Sequence, residues 1–150
     1  MEKEGAGRVC SCVDCGSLTC ARRTGSYPDF CLTEGLTERE RANIVKLYTS
    51  DEQVHAAAIA SAEVEGDFYG KYTRVEETME FARRIGAGKI GIAGCVGLAR
   101  ETRTFAKILR HKGFEVYGVF CKVGAVDKTE IGIPEKYMEL TGCSMCNPIL

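Results

Sequence analysis

Nine cysteines in 150 residues constrain this chain more than any other feature, because thiols at that density serve as disulfides, metal ligands or redox groups. The compartment decides among these uses. The first residues, Met1-Glu2-Lys3-Glu4-Gly5, are acidic and lack the apolar core of a secretory signal, so the sequence predicts a cytoplasmic protein in a reducing environment, where structural disulfides are rare. The longest stretch free of charge and strong polarity, Ile90 to Ala99, is far shorter than the roughly 18 apolar residues of a membrane-spanning helix. Twenty Lys and Arg against 21 Asp and Glu give no bulk attraction to nucleic acid or anionic lipid. Hydrophobic residues at 45% and charged residues at 27% are the composition of a folded globular chain. Metal ligation or thiol chemistry is left for the cysteines.

Cys12, Cys15, Cys20 and Cys31 form the pattern C-x2-C-x4-C-x10-C. Four soft thiolates this close suit a tetrahedral zinc ion or an iron–sulfur cluster, and two residues between Cys12 and Cys15 let both sulfurs face one ion from a tight turn. The spacing matches neither the bacterial nor the plant-type ferredoxin pattern, so it does not choose the metal. Cys10 is a spare thiol; Cys12 is favoured over it because it makes the compact pair with Cys15. Residues 10–31 show little hydrophobic periodicity, and we expect residues 1–36 to be a cysteine-rich metal-binding loop module and residues 37–150 an α/β domain.

Three starts resemble capping boxes, with a hydroxyl at N-cap and an acid or amide three residues on: Thr37 with Glu40, Ser50 with Gln53, and Thr73 with Glu76. They predict helices over about 38–48, 51–65 and 74–85, the second ending near Gly66 and the third at Gly86. Val75, Met79, Ala82 and Ile85 give the third an apolar stripe. Lys89 to Gly94 is a short apolar run between glycines and reads as a buried strand. Gly97 to Lys112 reads as a helix with Leu98, Phe105, Ile108 and Leu109 on its apolar face and Gly113 as its stop. Phe114 to Cys121 is rich in β-branched and aromatic residues and reads as a second strand, completing a βαβ unit. Residues 122–133 are expected to form a loop, and Pro134 to open a short helix through Leu140. Stable open sheets usually have three or more strands, so this two-strand unit and the ending in Cys146-Asn147-Pro148-Ile149-Leu150 suggest a chain truncated at its C-terminus.

Cys95 and Cys121 each fall at the carboxyl end of a predicted parallel strand, where open α/β sheets place their ligands. Whether the strands are adjacent or separated by one, the two thiols are close enough to share a site. Cys95 also precedes a helix, where free N–H groups favour a thiolate, which makes it the candidate nucleophile. Cys146, three residues after Cys143, supplies a third sulfur from the last loop. Three thiolates with an open position suit an iron–sulfur cluster whose free iron meets substrate; the bland alternative is ordinary core cysteines.

Other motifs carry less. Gly91, Gly94 and Gly97 follow a strand and precede a helix but do not match G-x-G-x-x-G, and the second strand ends in Phe120-Cys121 where a dinucleotide fold has an acid. His111 sits in the last turn of a helix, where a cation favours the helix dipole. His55 has no acid or cysteine at ligand spacing, and Arg22-Arg23 and Arg83-Arg84 read as solvated surface. A zinc-knuckle nucleic-acid binder would need more positive charge and exposed aromatics.

Cys12-Val13-Asp14-Cys15 with Cys20 and Cys31, the turn Gly91-Ile92-Ala93-Gly94-Cys95-Val96-Gly97-Leu98, the strand ending in Phe120-Cys121-Lys122, and Cys146-Asn147-Pro148 together resemble the domain of unknown function 1847 family of cysteine-rich, metal-binding proteins. The resemblance implies metal binding and an α/β body, and names no reaction. Members of that family continue past the Cys-Asn-Pro with a helix and a strand ending in Cys-Val-Gly-His-Asp, a stretch this sequence does not contain. The expected function is a cytosolic metal-binding protein with a zinc or iron–sulfur site at Cys12, Cys15, Cys20 and Cys31. A second site at Cys95, Cys121 and Cys146 would support redox or sulfur chemistry with a small-molecule or redox partner. The contrasting expectation is a non-catalytic, zinc-stabilised adaptor or metal sensor. No residue pattern identifies a general acid or base.

Overall fold

The computed structural model describes residues 10–138 and 143–147. The acidic start at Met1 to Gly5, the end of the expected helix at Leu140, and Pro148 lie outside the described residues. The chain divides into two compact units, 1–55 and 56–150.

In the first unit the cysteine-bearing stretch holds a single 3-10 turn at Cys12–Asp14 and one short helix, α1 (Thr19–Arg22). Thr19 is buried and donates its hydroxyl proton to the Ser26 carbonyl at 3.0 Å, which closes the following loop. Helix α2 (Glu38–Thr49) begins at the expected capping box: Thr37 Oγ1 accepts from the Glu40 N–H and Glu40 Oε2 from the Thr37 N–H at 2.8 Å. Helix α3 (Glu52–Phe68) starts in this unit and runs into the next. Its cap differs from the sequence expectation. Asp51 Oδ1, not Ser50, accepts the N–H groups of Gln53 and Val54 at 2.9 and 3.0 Å, a carboxylate at the positive helix end being the stronger acceptor.

The second unit is an α/β body. Helix α4 (Arg74–Arg84) is capped by Thr73 with Glu76, and Gly86, at φ +71°, ends it as predicted. The Ala87 N–H reaches back to the Ala82 carbonyl at 2.8 Å, a six-to-one closure that only a left-handed residue at Gly86 allows. Strand β1 (Lys89–Gly94), helix α5 (Ala99–His111) and strand β2 (Glu115–Phe120) follow, and β1 pairs with β2 in parallel, Lys89 opposite Glu115 through Gly94 opposite Phe120. The expected βαβ unit is therefore present, with its two strands adjacent. The expected helix from Gly97 begins as a 3-10 turn, Val96–Leu98, and becomes α-helical only at Ala99.

The core joins Met79 and Ala82 of α4, Leu109 of α5 and Phe114, with Val75, Ile90, Ile92, Phe105 and Val116 packed around them. Three residues expected on apolar faces are exposed instead: Ile85, Leu98 and Ile108. Ala106 and Leu109 are the buried positions of α5, so the face in contact is narrower than the run of apolar letters. Helix α3 also continues past Gly66 to Phe68. Arg84, expected as solvated surface, explains that extension. Its guanidinium bonds Asp67 at 2.8 Å, Glu63 at 3.1 Å and Glu80 at 3.1 Å and lies over the Phe68 ring, which stacks on Tyr72. These contacts tie the last turn of α3 to α4 and offset the roughly 1 kcal/mol that a mid-helix glycine costs.

Candidate metal centre

Cys95 and Cys121 are the first residues beyond the last register pair of the parallel strands, Gly94 opposite Phe120. The ladder runs one step further, the Cys121 N–H donating to the Gly94 carbonyl at 3.0 Å. Both thiols thus leave the same sheet end one strand apart. A Cβ at Gly94 would meet Thr102 Oγ1 at 3.4 Å and the Phe120 ring at 3.8 Å, so the absence of a side chain there lets the turn to Cys95 pass close over α5 and β2. Cys95 caps the 3-10 turn, its sulfur accepting the Gly97 N–H at 3.4 Å.

The third thiol comes from the segment 143–147, which lies along residues 121–127. Asn147 N–H donates to the Cys121 carbonyl at 2.6 Å, Asn147 Nδ2 to the Val123 carbonyl at 3.3 Å, and Met145 N–H to the Val126 carbonyl at 2.8 Å. Asp127 and Ser144 form an antiparallel bridge, and Lys122 Nζ donates to the Ser144 carbonyl. These bonds flank Cys146 and hold it beside Cys121.

Cys121 has the thiols of both Cys146 and Cys95 as neighbours. The Val96 N–H, then the thiols of Cys146 and Cys95 and the Lys122 ammonium, hold its pKa below the ordinary cysteine value, against partial burial that pushes it up. All these neighbours favour the thiolate. The loop after β1 therefore serves two sulfurs, Val96 giving its N–H to Cys121 and Gly97 to Cys95. Alkylation by iodoacetamide, which follows the thiolate, should reach half its maximal rate at Cys121 at a lower pH in the folded protein than in urea. Peptide-resolved mass spectrometry across a pH series would read this, and equal midpoints would show that the folded surroundings do not stabilise the thiolate.

In the first unit, Cys12 and Cys15 share a turn closed by the Cys15 N–H to the Cys12 carbonyl at 3.3 Å. The Cys15 thiol is also held below its ordinary pKa, by the Ser17 hydroxyl at 3.5 Å and by the N–H groups of Leu18 and Ser17. Cys20 lies on α1, and Cys31 follows the turn at Pro28 whose carbonyl accepts its N–H. Cys12 and Cys20 are exposed, Cys15 and Cys31 half-buried. Among the described residues no disulfide joins the cysteines, and no three His, Cys, Asp or Glu side chains stand preassembled around a point a metal ion could occupy. A cavity of about 430 Å³ between α3 and α4 and one of about 250 Å³ beside β2 have no cysteine in their walls. His55 Nδ1 lies 3.1 Å from the Tyr48 carbonyl, and His111 ends α5. Among the described residues no helix is long and apolar enough to cross a membrane.

The strand-end thiols had a sequence signal in their placement after predicted strands. Lys122 and Asn147 had none, because each acts through a contact more than twenty residues away in sequence.

Comparison with known proteins agrees with the resemblance read from the motifs. An uncharacterised protein, MJ0455, of Methanocaldococcus jannaschii is 42% identical over 106 residues, covering 71% of this chain and 53% of the relative. The chain thus spans about half the length of that relative. No solved structure matches. A family model described as a protein of unknown function, DUF1847, matches residues 31–150, a span that takes in Cys31 and all four cysteines from Cys95 to Cys146 but not Cys10 to Cys20. The chain belongs to the DUF1847 family.

Proposed function

We propose that this protein binds a thiophilic metal centre, a zinc ion or an iron–sulfur cluster, through Cys95, Cys121 and Cys146 at the carboxyl ends of β1 and β2. The observation that carries this reading is the placement of the Cys146 and Cys95 thiols beside Cys121, with N–H donors aimed at two of the three sulfurs. The donor set fits such a group. Thiolate sulfur is the soft ligand that zinc and iron–sulfur clusters take, and hydrogen bonds to coordinating sulfurs are what proteins use to hold and tune them. Val96 and Gly97 would supply those bonds, Lys122 would offset the negative charge, and Asn147 would fix Cys146. Such a group, when bound, supplies Lewis-acid or electron-transfer chemistry at the open end of the sheet; the protein's part is to hold three sulfurs together there and to favour the thiolate at Cys121.

Cys12, Cys15, Cys20 and Cys31 form a second, structural site in this reading, giving the N-terminal stretch the organisation that its small apolar content does not. The thiolate-stabilising turn at Cys15 supports it. Cysteines that carry no disulfide among the described residues fit a reducing, cytoplasmic setting with a small-molecule or redox partner.

Metal and acid-labile sulfide analysis with a visible spectrum, on protein purified without oxygen, tests the reading. Cys95→Ser, Cys121→Ser and Cys146→Ser should each lower the bound metal or the charge-transfer absorbance relative to the parent chain, while Cys12→Ser should leave the strand-end signal in place. Full metal content and an unchanged spectrum in all three variants would sink the strand-end centre. Zinc without iron or sulfide would identify the centre as zinc and favour sensing or structural roles over electron transfer.

A further inference from the structure

The same sulfurs point to an oxidative modification site. We propose that a peroxide joins Cys121 to Cys146 in a disulfide, which latches the 143–147 segment onto the end of β2 and withdraws two ligands from the proposed metal centre. The peptide that links Cys146 to Asn147 is one hydrogen bond from Cys121, its N–H donating to the Cys121 carbonyl at 2.6 Å. That is about the 5 Å separation of paired strands, inside the roughly 4.4–6.8 Å between Cα atoms that a disulfide needs. The Cys146 thiol is also a side-chain neighbour of Cys121, so no unfolding has to precede the bond.

Cys95 is the poorer partner. It too neighbours Cys121, but it lies just beyond the end of β1, where the main chain turns away into the 3-10 turn Val96–Leu98, and a disulfide wants its Cβ atoms only about 3.8 Å apart. Its sulfur also takes the Gly97 N–H, which points it into its own turn. Cys121 and Cys146 have the geometry; Cys95 is left as a thiol.

The chemistry balances with peroxide as the oxidant. The Cys121 thiolate attacks one peroxide oxygen, the O–O bond breaks, and the second oxygen leaves as hydroxide, which takes up a proton to become water. The Cys146 sulfur then attacks the Cys121 sulfenic acid, the S–S bond forms, the S–O bond breaks, and a second water leaves. Two thiols and one hydrogen peroxide give one disulfide and two waters.

The disulfide stands on the geometry alone, whereas its effect on metal rests on the strand-end centre proposed above. Reduced, full-length protein would be treated with equimolar hydrogen peroxide, its remaining thiols blocked, and its peptides mapped without reduction. The expected result is one cross-link, Cys121 to Cys146, with two thiols lost per chain. Cys146→Ser should stop at a dimedone-trappable sulfenic acid on Cys121, a readout that does not depend on the disulfide. A cross-link of Cys121 to Cys95 or of Cys143 to Cys146, or no sulfenic acid in Cys146→Ser, would overturn the proposal. With zinc loaded, a chromogenic chelator should register release in step with the cross-link, and a cross-link formed without release overturns that half. Reduced protein that holds no metal at the strand ends would remove the metal centre while leaving the cross-link to be judged by the peptide map.

Discussion

Leu109→Ala should destabilise the α/β unit by about 2–5 kcal/mol, the range for truncating a fully buried leucine. Leu109 has no exposed surface, and its neighbours Met79 and Ala82 come from α4 and Phe114 from the turn before β2, so collapse around the void would have to move α4, α5 and the approach to β2 together. Against a typical domain stability of about 5–15 kcal/mol, such a loss is a large fraction of the whole. Ile108→Ala is the control. Its side chain is 38% exposed, and its truncation should cost well under half as much. The measurement is the denaturant midpoint of each variant at unchanged slope, followed by a tryptophan-independent probe such as far-ultraviolet ellipticity because the chain has no tryptophan. Equal midpoints for the two variants would show that Leu109 is not the keystone the packing makes it. The consequence reaches the thiols as well, since α5 continues directly from the 3-10 turn whose Val96 and Gly97 N–H groups serve Cys121 and Cys95.

That pair of neighbours shows what the sequence could and could not specify. Local signals were readable: the reciprocal caps at Thr37 and Thr73, the left-handed glycine at Gly86 with the same device at Gly113 (φ +91°), and two short apolar runs that pair in parallel. Each is settled within a few residues by hydrogen-bond supply or steric freedom. Leu109 and Ile108 have nearly the same letter-level hydrophobicity, and only the direction of approach of α4 and the sheet separates them. Gly66 looked like a stop because its helical cost is intrinsic, whereas the Arg84 contacts that outweigh it lie seventeen and twenty-one residues away from Asp67 and Glu63. The candidate site divides along the same line. Cys95 and Cys121 could be placed because strand ends are predictable from composition; the fastening of Cys146 could not, because the Lys122 side chain and the Val123 and Val126 carbonyls, the latter groups that every sequence shares, bind a segment more than eighteen residues later.

Asn147→Ala should weaken the affinity of the proposed strand-end centre for metal by about 10–100-fold, the usual cost of removing a group that positions a ligand without touching the metal. The side chain's bond to the Val123 carbonyl is lost, while the Asn147 main-chain bond to Cys121 survives, so Cys146 keeps its neighbourhood and loses its fixed orientation. Lys122→Met removes the other side-chain tether, to the Ser144 carbonyl, together with the positive charge that favours the Cys121 thiolate. It should lower affinity at least as much and also raise the pH at which Cys121 alkylation is half-maximal, which Asn147→Ala should leave close to the parent value. The two variants therefore separate tethering from charge. Both residues act through the segment 143–147 and not through the core at Leu109, so the metal-free proteins should unfold at nearly the parent midpoint. Competition against a chelator of known affinity measures the first effect and thermal unfolding of the metal-free chain the second. Unchanged metal affinity in both variants, or a loss matched by an equal loss of metal-free stability, would mean that Cys146 is held by something other than these two side chains.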